Sequence, residues 1–466
     1  MEEIWTNQQP SADRGCPRTI FFGLMASQHS ARSAARANAT WELSTEAYPG
    51  PQTCLTTALR PATPFAWSYN MDHTYQAEGN HDMKGPTRFN PLRHLKHRQS
   101  EDGYAPVSTT SERPLHPLAF VSLGLVQLDA IKHPGSLHDV LGGSAVNSVA
   151  GARIVAGEQQ SNRIGLLAVV GGHDFSDHAR NTLKTWKTTL KMAETKDHET
   201  TRARIDHSLC SADEAAKDPQ FLGASSFHIF GSPRRLYNQV KDLTALREAT
   251  LQPPFGQKPF IVWELDAADA QPLDMDDIRK ACRFVDIFSL NDVDLARLFT
   301  ASSSNPNQDC TNVPEFDRRS LEKNAESLVN KPQGIGRDHS GVLVVRAGEH
   351  GCFIAQRHHH PKTLWLPAFH DPGHAVVDVT GAGSVFLGAL TFAMAELHKN
   401  IVDAAKTAIV AASFAVEQVG PPVLSSGVGA SEELWNCASF HRRLDIYERK
   451  IKARVNLMPE FLGPLY

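Results

Sequence analysis

Short apolar runs recur along the chain from about residue 118 onward, and they predict strands. They lie at residues 118–124, 164–170, 227–230, 259–263, 284–290, 341–345 and 352–355. Continuous apolar runs of this length between turn residues are typical of strands buried on both faces. Apolar stripes at helical spacing, at 274–283, 382–397 and 401–419, predict helices between them. Strands that alternate with helices predict a mostly parallel sheet with helices on both faces.

Two other parts of the chain carry weaker patterns. Residues 1–115 are rich in Ser, Thr, Pro, Ala, Asn and Arg without either periodicity, which predicts a mostly disordered extension. A mistaken gene start is the alternative for this segment. Its basic patch at 93–98 is interpreted as a solvated charge run. Residues 176–220 are expected to hold one or two surface helices, and 426–466 a helical segment that packs on the domain at 116–425.

Composition narrows the class of protein. The chain has 466 residues, of which 41% are hydrophobic and 21% charged, with a formal net charge of −4. These values are typical of a soluble globular protein and give no reason to expect a nucleic-acid partner. We expect no membrane span, because no apolar run reaches about 18 residues. We expect no secretory signal at Met1-Glu2-Glu3. Seven scattered cysteines without a Cys-x-x-Cys pair indicate a reducing, cytoplasmic location.

A glycine turn near the C-terminal end is the best candidate for chemistry. The apolar run 376–379 meets Thr380-Gly381-Ala382-Gly383, and a helical pattern follows. Backbone N–H groups at such a helix start point at one spot, where the helix dipole also favours negative charge. The pattern therefore fits an anion site. A tight turn into a closely packed helix fits it equally well.

The order of residues in this turn resembles the signature of the PfkB, or ribokinase-like, family of carbohydrate kinases, which reads Asp-Thr-x-Gly-Ala-Gly-Asp. The matching residues are Asp378, Thr380, Gly381, Ala382 and Gly383, and Ser384 stands where the family has its last Asp. The resemblance implies a three-layer α/β/α fold with a mostly parallel sheet and a small or reduced β lid. It also implies that ATP and Mg²⁺ are used and that the Gly-Ala-Gly amides bind the phosphoryl group. In the family, the residue at the position of Ser384 takes the proton from the substrate hydroxyl that accepts the phosphoryl group.

The same resemblance assigns a substrate side. Asp129 follows the first strand, where family members bind sugar hydroxyls; a surface Asp at a strand end is the alternative. Gly142, Gly143 and Asn147 resemble the family's Gly-Gly-x-x-x-Asn motif. A carboxylate accepts hydrogen bonds from two vicinal hydroxyls, and an amide both donates and accepts. The short stretch 130–141, with Pro134-Gly135, predicts the reduced lid.

A nucleotide side follows further along the chain. Asn291 and Asp294 resemble the family's Asn-x-x-Glu motif, which organises Mg²⁺ through water, with a carboxylate one methylene shorter. Gly348 and Gly351 match its Thr-x-Gly-x-x-Gly turn, but the Thr is Arg346. Arg346 is expected either to contact phosphate or to obstruct the site. Thr380 is also predicted to bind phosphate, and the small-residue face at 411–415 fits either an adenine pocket or plain helix packing. His358-His359-His360 is interpreted as a solvated loop rather than a metal site, because adjacent residues do not converge on one ion.

The serine at position 384 leaves two hypotheses open. A hydroxyl is too weakly basic to replace a carboxylate that contributes about 10²–10⁴-fold, although phosphoryl transfer depends mainly on positioning and charge neutralisation. The first hypothesis is an ATP-dependent kinase of a sugar-like small molecule, slowed by Ser384. The second is a catalytically inactive pseudokinase that binds a ligand or acts through protein partners. The departures at positions 294, 346 and 384 indicate a divergent branch of the family. Residues 142–143, 376–388 and 413–420 resemble the fungal maintenance-of-killer branch, whose members also lack the Asp.

Overall fold

The structure, a computed structural model, divides the chain into two compact units, residues 1–106 and 107–466. It describes residues 19–21, 68–70, 117–133, 136–196, 199–201, 215, 218–251, 258–266, 274–301, 315–330, 334–358, 362–372, 376–425 and 432–457. In the first unit, strands β1 (Thr19–Phe21) and β2 (Ser68–Asn70) pair antiparallel. The prediction of disorder for the rest of residues 1–115, and the basic patch at 93–98, lie outside the described residues.

A nine-stranded sheet forms the centre of the second unit. Its strands are β3 (Phe120–Leu123), β6 (Ile164–Gly171), β7 (Thr189–Thr195), β8 (Ser226–Gly231), β9 (Phe260–Leu265), β10 (Ile287–Asn291), β11 (Val342–Arg346), β12 (Cys352–Gln356) and β13 (Thr363–Leu366). Their order is β13-β12-β11-β10-β9-β8-β3-β6-β7. All pairs from β11 to β7 are parallel, and β12 and β13 extend one edge antiparallel. The predicted mostly parallel sheet is confirmed.

Helices cover both faces of this sheet. They are α1 (Ser144–Ala156), α2 (Asp177–Thr185), α3 (Pro219–Leu222), α4 (Pro233–Thr250), α5 (Met275–Cys282), α6 (Asp292–Ala301), α7 (Arg318–Asn330), α8 (Ala382–Ala395), α9 (Ile401–Ala415) and α10 (Phe440–Leu457). One hydrophobic core joins the sheet to α1, α8 and α9. A second core joins the opposite face to α4, α5, α6 and α7. The protein therefore has the three layers expected of an α/β/α fold.

Small β elements lie beside the main sheet. β4 (Gln127–His133) and β5 (Ser136–Gly142) form an antiparallel pair with Gln127 opposite Gly142, which is the small lid. β14 (Leu424–Ser425), β15 (Leu434–Trp435) and β16 (Ala438–Ser439) form a three-stranded sheet before α10. Throughout the described part of the chain, no helix is both long enough and apolar enough to cross a membrane.

One secondary-structure prediction was incomplete and others differ at their ends. The region 176–220 contains the expected surface helix α2, and it also contains the edge strand β7, which was not predicted. β7 alternates polar and apolar residues at a partly exposed edge, so it lacks the continuous apolar run of the buried strands. Helix α9 ends at Ala415 rather than at residue 419.

Candidate functional site

Two glycines bring helices α1 and α8 into direct backbone contact. A Cβ added to Gly388 would overlap the backbone carbonyl of Ser148, and one added to Gly151 would overlap that of Val385. Neither position accepts a side chain without a shift of the opposite helix. The close packing fixes the first turn of α1, which carries Asn147, beside the first turn of α8.

The glycine turn at the start of α8 is formed as the sequence predicts. Gly381 is the residue before the helix and has a φ of 78°, a left-handed conformation that favours glycine. A Cβ at Gly381 would overlap the side-chain amide of Asn147, so that amide lies directly against the turn. Asp378 closes the preceding loop by accepting a hydrogen bond from the backbone N–H of Thr380 at 2.9 Å.

The predicted substrate residues converge on the same place. Asp129 is buried, with 7% of its surface exposed, and accepts a hydrogen bond from the Gln127 side chain. Its carboxylate occupies the space that a Cβ on Gly142 would need, and Gly143 has a φ of 95°. Burial raises the pKa of Asp129, the Gln127 hydrogen bond lowers it, and the negative charge of Asp378 raises it. Asp129 is thus electrostatically coupled to the loop that leads into the glycine turn.

Ser384 contacts a carboxylate that the sequence analysis did not identify. Its hydroxyl donates to Oε2 of Glu264 at 2.8 Å. Glu264 lies on β9 with 4% of its surface exposed. Nη1 of Arg346 donates to Oε1 at 2.7 Å, and Nε2 of His228 lies 3.1 Å from Oε2. A signal was present, because His228 and Glu264 are polar residues within or beside apolar runs of two predicted strands.

The contacts of Glu264 keep it ionised. Burial alone raises its pKa, but the charge of Arg346 and the hydrogen bonds from His228 and Ser384 outweigh that effect and lower the pKa to about 2. An ionised carboxylate only accepts hydrogen bonds, so Nε2 of His228 carries the proton. Nδ1 of His228 shares a hydrogen bond with the Ser122 hydroxyl at 3.0 Å. A buried polar chain therefore runs from β3 across the sheet to the start of α8.

Arg346 lies against the glycine turn. A Cβ added to Gly383 would overlap Nη1 of Arg346, so the guanidinium covers that residue while it pairs with Glu264. Among the residues that the structure describes, Nε of Arg346 is a buried donor with no hydrogen-bond partner. A buried unpaired donor is uncommon in native proteins. The guanidinium therefore has capacity for an additional acceptor at this turn.

The remaining predicted nucleotide residues lie at the ends of β10 and β11. Asn291 accepts a hydrogen bond from the backbone N–H of Asp294 at 2.7 Å and so caps α6. Burial raises the pKa of Asp294, and the charges of Arg346 and Arg297 lower it. Gly348 and Gly351 bound a tight turn between β11 and β12 with φ values of 51° and 93°. Asn291 is paired in register with Arg346, so these residues share one edge of the sheet.

Helix α10 covers the predicted adenine face. Arg443 lies 3.9 Å above the ring of Phe414 and donates to the Ser413 hydroxyl at 3.0 Å. Tyr447 donates to the carbonyl of Pro367. At Phe414 this face is therefore packed against the protein itself. Within the described ranges no group of three or more His, Cys, Asp or Glu side chains could hold a metal ion, and His359 and His360 lie outside those ranges.

These features define an α/β protein with a glycine turn at the start of one helix and buried polar side chains beside it. The family model for the pfkB family of carbohydrate kinases matches residues 118–424. The chain belongs to this family.

Similar proteins are found in sequence and in structure. An uncharacterized protein of Schizosaccharomyces pombe is 28% identical over 362 residues, which cover 72% of this chain and 94% of that protein. A ribokinase from Giardia lamblia has a TM-score of 0.48 at 15% identity and covers 72% of this chain and 99% of its own. An adenosine kinase from Schistosoma mansoni, solved in complex with 2-fluoroadenosine, has a TM-score of 0.49 at 10% identity. The match covers 65% of this chain and 96% of the adenosine kinase.

Proposed function

We propose that this protein transfers a phosphoryl group from ATP to a hydroxyl of a sugar or a similar polyhydroxylated compound. The observation that carries the proposal is the contact between the Asn147 amide and Gly381. It places a group suited to binding hydroxyls directly beside the turn suited to binding phosphate. Phosphoryl transfer depends on that juxtaposition, because an acceptor held in line with the phosphoryl group lowers the entropic part of the barrier.

Asp129 and Asn147 would hold the acceptor. Both are largely buried, with 7% and 6% of their surfaces exposed, so a bound ligand would complete their hydrogen bonds away from water. The Asp129 carboxylate accepts from two hydroxyls, and the Asn147 amide donates and accepts. Gly142 and Gly143 allow Asp129 to hold this position, since a side chain at Gly142 would overlap the Asp129 carboxylate and one at Gly143 would overlap the backbone carbonyl of Leu125.

The start of α8 and Arg346 would hold the phosphates. The backbone N–H of Ala382 donates to the carbonyl of Val379 at 3.3 Å, so the other N–H groups at the start of α8 would face the phosphate, where the helix dipole favours negative charge. The buried unpaired Nε of Arg346 suits a phosphate oxygen, because charge-assisted hydrogen bonds from a guanidinium are strong. The exposed Thr380 directly precedes this turn, and the turn at Gly348 and Gly351 follows Arg346 in the chain. A tetrahedral anion fits the donors present.

Asn291 and Asp294 would hold Mg²⁺ through water. Carboxylate and amide oxygens are suitable ligands for this cation, and Mg²⁺ would supply positive charge beside the transferred phosphoryl group. The positive charges of Arg346 and Arg297 already interact with the Asp294 carboxylate. These charges argue against direct coordination of Mg²⁺ by Asp294. The single Asp294 carboxylate fits an indirect role.

A second candidate function, ligand binding without transfer, is favoured by a specific contact. The Arg346–Glu264 ion pair lies against Gly383, so the protein's own charges are placed beside the phosphoryl position. Glu264, with a pKa of about 2, is a poor base in this arrangement. A pseudokinase would still bind its ligand at this site but would not transfer a phosphoryl group.

Calorimetric titration with Mg²⁺–ATP and with a panel of sugars tests the binding part of both candidates. Gly383→Glu should abolish nucleotide binding by placing a carboxylate in the turn, and Asn147→Ala should abolish sugar binding. Gly172→Ala is the control, because the nearest atom to its added Cβ is at 3.6 Å. Equal sugar affinities in wild type and Asn147→Ala would show that Asn147 does not bind the sugar.

A further inference from the structure

We propose that Glu264 is the final acceptor of the substrate proton, reached through the Ser384 hydroxyl, and that Arg346 blocks this role until an anion in the glycine turn draws it away. The inference rests on the proposed function and supplies the basic group that Ser384 alone lacks. We call the Arg346–Glu264 ion pair beside Gly383 the latch. A phosphate in the glycine turn would separate its two side chains.

The contacts of Ser384 allow a relay. Its hydroxyl donates to Oε2 of Glu264 at 2.8 Å, so its oxygen lone pairs are available to a donor on the substrate side. The serine lies at the start of α8, one residue after the Gly-Ala-Gly turn. An acceptor hydroxyl beside that turn could donate to Ser384 while Ser384 donates to Glu264.

The proton balance of this step is simple. As the oxygen of the acceptor hydroxyl forms its bond to phosphorus, the bond from phosphorus to the bridging oxygen of ATP breaks and ADP leaves with the electron pair. The hydroxyl proton moves to Ser384 Oγ, and the original Ser384 proton moves to Oε2 of Glu264. Ser384 ends as it began, and Glu264 is left as a neutral carboxyl that later loses its proton to solvent.

The other groups around Glu264 decide when it can accept a proton. Arg346 from β11 contacts Oε1, while His228 from β8 and Ser384 from α8 contact Oε2. His228 is fully buried and Glu264 nearly so, whereas the Arg346 side chain retains 16% exposure. Arg346 is therefore the partner that can move. With Arg346 in place, the pKa of Glu264 is held at about 2. Without Arg346, the contacts with His228 and Ser384 alone oppose the effect of burial, so the pKa rises.

Two observations indicate that an anion would draw Arg346 away from Glu264. Its Nη1 already lies against Gly383, and within the described residues its buried Nε lacks a partner. A phosphate in the turn would offer several oxygens to a guanidinium that has five N–H donors. The anion would also repel the Glu264 carboxylate, which raises the affinity of Glu264 for a proton.

Sulfate is the probe for this latch, because it is tetrahedral like phosphate but carries no proton that titrates near pH 5. Calorimetry of sulfate binding in two buffers of different ionisation enthalpy gives the number of protons taken up. Wild type should take up protons on binding at pH 5 and none at pH 8. Glu264→Gln should bind sulfate with less proton uptake than wild type, and the remainder should come from Asp294, whose pKa the charge of Arg346 also lowers. Glu433→Gln, which removes a carboxylate paired with the buried Arg153 elsewhere, should behave as wild type.

Gly383→Ala provides a second test that does not rely on replacing a buried charge. Its methyl group would displace the end of the Arg346 side chain, which is flexible, at a helical position. Glu264 in this variant should already be protonated at pH 5, so sulfate-linked proton uptake should fall to the level of Glu264→Gln. The proposal is overturned if wild type does not bind sulfate, binds it without proton uptake, or shows the same uptake as Glu264→Gln.

Acceptor-dependent formation of ADP, measured on the same wild-type sample, separates this inference from the proposed function. Turnover without proton uptake would reject the latch and retain the kinase. Proton uptake without turnover would retain the latch and reject phosphoryl transfer.

Discussion

The Ser384 hydroxyl donates to Oε2 of Glu264 at 2.8 Å. Ser384 stands where the family has an Asp, so this contact connects that position to a buried carboxylate. The carboxylate is absent from α8 but present one hydrogen bond away, on β9. It is held there by Arg346 and His228. A buried network of hydrogen bonds therefore joins the sheet to the start of α8 at this position.

Loss of the Glu264 charge should destabilise the protein in a pH-dependent way. The folded pKa is about 2, below the ordinary value of about 4.3, so the ionised group stabilises the fold above pH 4.3. This stabilisation decreases as the pH falls towards 2. Glu264→Gln should lower the free energy of unfolding by about 3 kcal/mol at pH 7. Urea unfolding at pH 7 and pH 3 measures the difference; an equal loss at both values would contradict this account.

Restoring the family's Asp at position 384 should fail unless Glu264 is also changed. In Ser384→Asp two carboxylates would meet, and like charges in contact raise the pKa of one of them. We expect this variant to be less stable than wild type. Ser384→Asp combined with Glu264→Gln should recover stability and raise kcat by about 10²-fold or more. Unfolding and turnover are measured on both; a fully stable and active single variant would show that the two side chains do not interact.

Asp129→Asn should increase stability while it abolishes sugar binding. Burial and Asp378 raise the folded pKa of Asp129, so its contribution to stability is fully present below its unfolded pKa and is lost as the pH rises through the folded pKa. Because the asparagine side chain does not ionise, Asp129→Asn avoids the loss of stability that the buried Asp129 charge causes near neutral pH. Thermal unfolding should show a higher Tm for the variant at pH 7 than for wild type, with the gap closing at pH 3. A lower Tm at pH 7 would contradict the assigned pKa direction.

The contact between α1 and α8 should be sensitive to a single methyl group. Gly388→Ala would place a Cβ against the carbonyl of Ser148, and overpacking of this kind costs about 1–3 kcal/mol. Because the contact also positions Asn147, sugar affinity should fall with stability. Gly172→Ala is the matched control, with its nearest neighbour at 3.6 Å. Equal unfolding curves for the two alanine variants would show that the helices separate freely.

Much of the sheet could be predicted because its buried strands are continuous apolar runs. Val342–Arg346 and Ile164–Gly171 stand where the sequence placed strands. Thr189–Thr195 was missed because an edge strand with one exposed face carries lysine and glutamate. Local pattern alone does not separate such a strand from a polar helix.

The candidate site was predictable only where its residues lie in local motifs. Gly381 and Asn147 are far apart in sequence, and each was identified within its own motif. Glu264 has no motif, and its role follows from the register that places it on β9 beside Phe230 of β8 and from the approach of Ser384. A contact between residues 120 positions apart is a property of the fold.

Transfer of the phosphoryl group is the central claim, and phosphorus NMR of wild-type protein with Mg²⁺–ATP and each sugar of the panel tests it most directly. The account predicts a sugar-phosphate resonance and an equal amount of ADP with at least one sugar, both absent in Asn147→Ala and Gly383→Glu. Binding of Mg²⁺–ATP and a sugar without any sugar phosphate would contradict it and leave the pseudokinase as the function of this site.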